Sequence, residues 1–147
     1  MTDASRIASS EPVLDTMIQL AFAVKSHRVI AAGSAAFDLY RGLCRRGFSR
    51  VATAVSSRGR CIQHDVALVA GEEADQALEA LSIRIVPLLN SRAAIAVWID
   101  SVGRRRGNKI QLLLERLGFR VESGARCEVG FILSARRREW THLANVA

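Results

Sequence analysis

Residues 28–47, R-V-I-A-A-G-S-A-A-F-D-L-Y-R-G-L-C-R-R-G, decide how the rest of the chain is read. A hydrophobic run from Val29 to Ala32 meets Gly33, and a helical pattern starts at once. Ala36, Leu39, Tyr40 and Leu43 recur at i, i+3, i+4 and i+7, which places them on one helical face. Arg45 and Arg46 lie in the last turn, and Gly47 follows as a helix-ending residue. The stretch reads as strand, tight turn and helix, the opening half of a βαβ unit. In open α/β sheets, ligands sit where such strands end.

Upstream, residues 1–9 are polar and read as a flexible tail. Ser10 can cap a helix whose first turn holds Glu11 and Pro12. Leu14, Met17, Ile18, Ala21 and Val24 give it an apolar stripe. Downstream, Ser49 to Val55 carries β-branched residues at alternate positions and predicts a second strand. Asp65 to Ala70 predicts a third. Glu72, Glu73 and Asp75 open a helix with acidic residues at its positive end. That helix buries Ala74, Ala77, Leu78, Leu81 and Ile85, and Pro87 ends or kinks it. Ala93 to Ile99 is a near-continuous apolar run, the mark of a central strand covered on both faces. Asp100 to Gly107 reads as a loop and Asn108 to Leu117 as a helix stopped by Gly118. Phe119 to Ala125 and Glu128 to Ala135 follow as two strands. Too few residues separate them for a crossover, so they must pair antiparallel. Residues 138–147 read as a second flexible tail.

The expected architecture is a three-layer αβα sandwich in a single domain over residues 1–147. Its six-stranded sheet has four parallel strands and a terminal antiparallel hairpin. The composition agrees, with half the residues hydrophobic, 5% aromatic and two prolines. No apolar run reaches the ~20 residues that span a bilayer. No signal-peptide pattern opens the chain, so a cytoplasmic location is expected by default. Cys44, Cys61 and Cys127 are widely spaced and have no metal-ligand spacing, so reduced, mostly buried thiols and no metal are expected. His27, His64 and His142 stand alone and read as loop or surface residues.

The D-V-A-L-V-A strand, the following helix, the A-A-I-A-V-W-I strand, the helix ending L-L-L-E-R-L-G-F and the closing hairpin R-V-E-S-G-A-R-C-E-V-G-F-I-L-S-A-R together resemble the class I S-adenosylmethionine-dependent methyltransferases. The resemblance spans roughly residues 11–137. It implies that the last strand inserts between its predecessor and Ala93–Ile99, antiparallel to both. It also implies an S-adenosylmethionine site at Gly33, Ser34, Ala35, Ser56 and Gly71. The family's acid at the end of the first strand falls here on Ala31. Its three loop glycines fall on Gly33, Ala35 and Phe37, and a bulky Phe37 would fill cofactor space. Its ribose-binding acid falls near Ser56, which lacks charge and bidentate geometry. The segment between Val55 and Asp65 is too short for the strand and two helices that the family places there. The Val51–Val55 strand should therefore form the sheet edge. The resemblance thus implies a methyltransferase-like protein of unknown substrate whose cofactor site has decayed.

The net charge is +7, carried almost entirely by arginine. Such charge either attracts anions or coats a solvated surface. Asp100 is the candidate general base at a strand end. Arg58, Arg60, Arg104, Arg105 and Arg106 gather on the same expected edge and could hold a phosphorylated ligand or a nucleic-acid backbone. The aromatic interleaving of single-strand binders is missing around them. An exposed edge strand would alternatively support a homodimer.

Overall fold

The computed structural model describes residues 11–54, 63–70, 75–99, 104–127 and 130–138. Helix α1 (Glu11–Ala21) leads into strand β1 (Val29–Ala32), helix α2 (Ala36–Arg45) and strand β2 (Val51–Thr53). Strand β3 (His64–Val69), helix α3 (Asp75–Ile85) and a 3-10 turn (Val86–Leu88) follow. Strand β4 (Leu89–Ile99), helix α4 (Arg104–Arg116) and strands β5 (Phe119–Cys127) and β6 (Gly130–Arg137) complete the chain.

The six strands form one sheet in the order β2-β1-β3-β4-β6-β5. Strands β2, β1, β3 and β4 are mutually parallel. Strand β6 runs antiparallel to both β4 and β5, so the last strand is inserted as the resemblance implied. Strand β2 is one edge of the sheet.

Period-two alternation sorts the strand side chains into two cores. Ala31, Leu68, Ala96 and Trp98 face α1 and α2, where Leu14, Met17, Leu39 and Leu43 are fully buried. Ile30, Ala67, Val69, Ile95 and Val97 face α3 and α4, against Leu78, Ile85, Ile110 and Leu114. Truncating any one buried Leu to Ala should cost about 2–5 kcal/mol. Two helix glycines set the packing distance. A Cβ on Gly42 would clash with Leu14 of α1, and one on Gly107 would lie 2.6 Å from Cζ of Phe131 on β6.

Several boundaries differ from the sequence reading. Helix α4 starts at Arg104 rather than Asn108, because Gly107 sits inside it where the helix touches β6. Strand β4 starts at Leu89 rather than Ala93, since Pro87 closes a short 3-10 turn that feeds directly into it. His64 is a buried strand residue, not a surface one; its Nδ1 lies 3.2 Å from the Leu88 carbonyl oxygen. Cys44 is an exposed thiol rather than a buried one, because it lies off the buried face formed by Leu39 and Leu43. Arg138 belongs to the ordered hairpin, with its N–H donating to the Gly118 carbonyl at 2.9 Å.

Gly33 and Gly118 both have left-handed φ, +100° and +95°. A Cβ on Gly118 meets nothing, whereas one on Gly33 would clash with the Ala70 carbonyl. Gly118→Ala should therefore cost only the backbone strain, about 1 kcal/mol. Gly33→Ala should cost clearly more, because β1 and β3 must also separate. Urea denaturation of both variants checks this; equal losses would contradict it.

Candidate functional site

The carboxyl ends of β1 and β3 meet at the turn that enters α2. This is the position where open α/β sheets hold ligands. Val29 to Ala32 are fully buried, as a strand covered on both faces requires. Gly33 then turns the chain and α2 starts at Ala36.

The turn is closed on the chain itself. The Ala35 N–H donates to the Ala70 carbonyl at 3.1 Å, and the Ala70 N–H donates to the Ala32 carbonyl at 3.1 Å. The Ala36 N–H donates to the Gly33 carbonyl at 3.1 Å. On the other side, the Ala54 N–H reaches the Ala31 carbonyl at 3.0 Å. Ala35 occupies the N-cap without a side-chain cap bond. Asp38 supplies the acidic charge that suits this helix end.

Of the residues expected to hold a cofactor, Gly33, Ser34 and Ala35 lie together in this turn. Gly33 is half-buried, Ser34 exposed and Ala35 buried. Ser56, Gly71, Asp100, Arg58 and Arg60 lie outside the described residues. Arg104, Arg105 and Arg106 form the first turn of α4, which follows β4. Phe37 does not sit in a buried cleft. It is 68% exposed, with its ring stacked 6.4 Å from that of Tyr40 and the Arg41 guanidinium 5.9 Å from its centroid.

Sequence reasoning missed one polar group near this end. Trp98 is buried on the α1–α2 face of β4, opposite Ile132 of β6. Its Nε1 is the one buried side-chain polar atom without a hydrogen-bond partner among the described residues. Leaving such a donor unpaired costs about 1–3 kcal/mol. An apolar strand pattern marks Trp98 as core and carries no signal of an unmet N–H.

S-adenosylmethionine carries a sulfonium, an ammonium and two ribose hydroxyls, which call for acceptors, and a carboxylate and adenine nitrogens, which call for donors. Within residues 33–36 of the turn, Ser34 supplies the one side-chain acceptor. They present small apolar side chains, the Ser34 hydroxyl, and the Ala35 and Ala36 amides bonded within the chain; the unmet group nearby is the Trp98 donor. No carboxylate stands at Ala31 or Ala32. Among the described residues, no three His, Cys, Asp or Glu side chains gather as metal ligands. No helix among them is long and apolar enough to cross a membrane.

No protein-family model matches the sequence. No curated protein matches it either. Solved structures do match the fold. The chain is similar to magnesium protoporphyrin IX methyltransferase from Synechocystis with bound S-adenosylmethionine, at 11% identity and a TM-score of 0.60, covering 92% of this chain and 83% of that one. It is also similar to precorrin-6y C5,15-methyltransferase from Geobacter metallireducens, at 12% identity and TM-score 0.61, covering 88% and 89%. A third is the release-factor-specific protein-(glutamine-N5) methyltransferase from Alicyclobacillus acidocaldarius, at 17% identity and TM-score 0.57, covering 89% and 93%. The chain therefore has a class I methyltransferase-like α/β fold.

Because the Phe37 ring is solvent-exposed, Phe37→Ala should change stability by no more than about 0.5 kcal/mol. Thermal denaturation checks this; a large loss would place the ring in a packed cleft.

Proposed function

We propose that this chain is a methyltransferase-like domain that binds S-adenosylmethionine weakly or not at all and acts without methyl transfer. The observation that supports this is the turn at Gly33. Its amides bond to Ala70 and Gly33 carbonyls, and its walls at Ala31 and Ala32 are buried methyl groups. A cationic cofactor brought there would lose solvation without gaining a carboxylate in return. The architecture persists because its two cores hold it.

A second reading is favoured by the start of α4. Three arginines occupy its first turn beside the end of β4. Like charges opposed to the helix dipole are unfavourable by themselves. An anionic ligand at this edge would offset that cost.

Calorimetric titration of the full chain with S-adenosylmethionine and S-adenosylhomocysteine tests the first reading. No saturable heat is expected at micromolar ligand; tight binding of either would restore the enzyme. Titration with inorganic pyrophosphate tests the second. Binding that weakens with salt and disappears in the Arg104→Ala, Arg105→Ala, Arg106→Ala variant is expected, and no binding at low salt would remove it.

A further inference from the structure

At the opposite end of the sheet, α1 stops in an unusual way. The Ala23 N–H donates to the Ile18 carbonyl at 3.0 Å and the Phe22 N–H to the Gln19 carbonyl at 3.1 Å. This pair of bonds is the Schellman ending, which needs a left-handed residue at its turning point and normally takes glycine. Here that residue is Phe22, at φ +55°. It is the one non-glycine residue with positive φ among the described residues. A bulky side chain there is strained. The strain is not offset by burial, since Phe22 is 67% exposed.

The ring overlooks a cavity of about 250 Å³ at the amino ends of β3 and β4, lined by Phe22, His27, Asp65, Asn90, Arg92 and Arg136 among others. The polar wall is tied together. Asp65 accepts the Arg28 N–H at 2.9 Å through Oδ2 and the Asn90 side-chain amide through Oδ1. Asn90 Oδ1 in turn accepts the Arg92 N–H at 2.9 Å. These bonds fix the backbone from which Arg92 projects. Arg136 pairs in register with Ala94, two residues after Arg92. Its guanidinium donates to the Arg92 carbonyl at 3.4 Å and lies 5.9 Å from the Phe22 ring centroid. Glu122 of β5 stands 3.6 Å from Arg136 Nε. Asp65 has both carboxylate oxygens bonded within the chain, and Arg92 and Arg136 bring two guanidiniums to the same rim.

We propose that this cavity binds a nucleoside phosphate, with the base stacked on Phe22 and the phosphate held by Arg92 and Arg136. Guanidinium groups match phosphate oxygens in paired geometry, and an exposed ring beside them supplies the stacking surface. The cost of holding phenylalanine where glycine belongs is then offset by the ligand. The site lies across the sheet from the Gly33 turn, so it stands whether or not that turn binds a cofactor. The nucleoside phosphate is either a free nucleotide or one unit of a single-stranded nucleic acid.

The experiment titrates the full chain with AMP, with inorganic phosphate and with a fluorescein-labelled single-stranded oligonucleotide, at low and high salt. It compares wild type with Phe22→Gly and Arg92→Ala. Phe22→Gly should raise the thermal midpoint, because glycine relieves the left-handed strain. The same variant should weaken AMP and oligonucleotide by about tenfold or more while leaving inorganic phosphate unchanged. Arg92→Ala should weaken all three. An oligonucleotide that binds far tighter than AMP, with a steep salt dependence, assigns the natural ligand to nucleic acid. Equal affinities assign it to a free nucleotide. Absence of saturable binding by AMP and oligonucleotide at low salt would overturn the proposal. So would a Phe22→Gly variant that binds both as wild type does.

Discussion

The fold depends on how closely two backbone segments approach at one point, where Gly33 leaves β1 beside the Ala70 carbonyl. No side chain fits between them. The approach lets the Ala70 amide bond back to β1 and lets its carbonyl receive the Ala35 amide. One contact therefore ends two parallel strands and starts α2. It aims α2 so that Leu39 and Leu43 fall on the same core as Leu14 and Met17 of α1. In a nucleotide-type sheet, such a turn is where backbone amides are left open to a ligand. Here Ala35 and Ala36 have both found acceptors within the chain. The same geometry that secures the sheet thus engages these two donors within the chain.

The arginine-rich composition divides once the contacts are known. Part of it is structural. Arg46 reaches Asp15 Oδ1 at 2.8 Å and the Gly42 carbonyl at 2.9 Å, joining the first two helices. Arg137 donates to the Leu89 carbonyl at 2.8 Å and covers the Phe119 ring, where α3 passes through the 3-10 turn into β4. These guanidiniums bond backbone carbonyls where one element passes into the next. Arg92 and Arg136 line the cavity at the amino ends of β3 and β4, and Arg136 also donates to the Arg92 carbonyl. Net charge alone could not separate the two groups, because a long guanidinium side chain reaches partners far away in sequence.

Most of the architecture was legible before the coordinates. Gly33 between an apolar run and a helical stripe marked the first turn. The short link between the last two strands forced them antiparallel, and the family resemblance supplied the place of β6. The readings that failed share a cause. Helix α4 begins early because Gly107 meets Phe131 from a distant strand, and His64 is buried because β3 starts one residue earlier than its apolar run. Phe22 gave no signal, since nothing in L-A-F-A-V marks a left-handed position. The unmet Nε1 of Trp98 was hidden inside a strand that reads as pure core. Periodicity reports which face a residue takes, while these features depend on what a second segment brings to that face.

At the Gly33 turn the Ala35 and Ala70 amides are held by acceptors of the chain itself. Amide hydrogen exchange, read residue by residue by NMR, tests this most directly. The Ala35 and Ala70 amides should exchange as slowly as those of the core strands, and millimolar S-adenosylmethionine should leave their rates unchanged. Rapid exchange at Ala35 in the free chain, slowed when the cofactor is added, would contradict it.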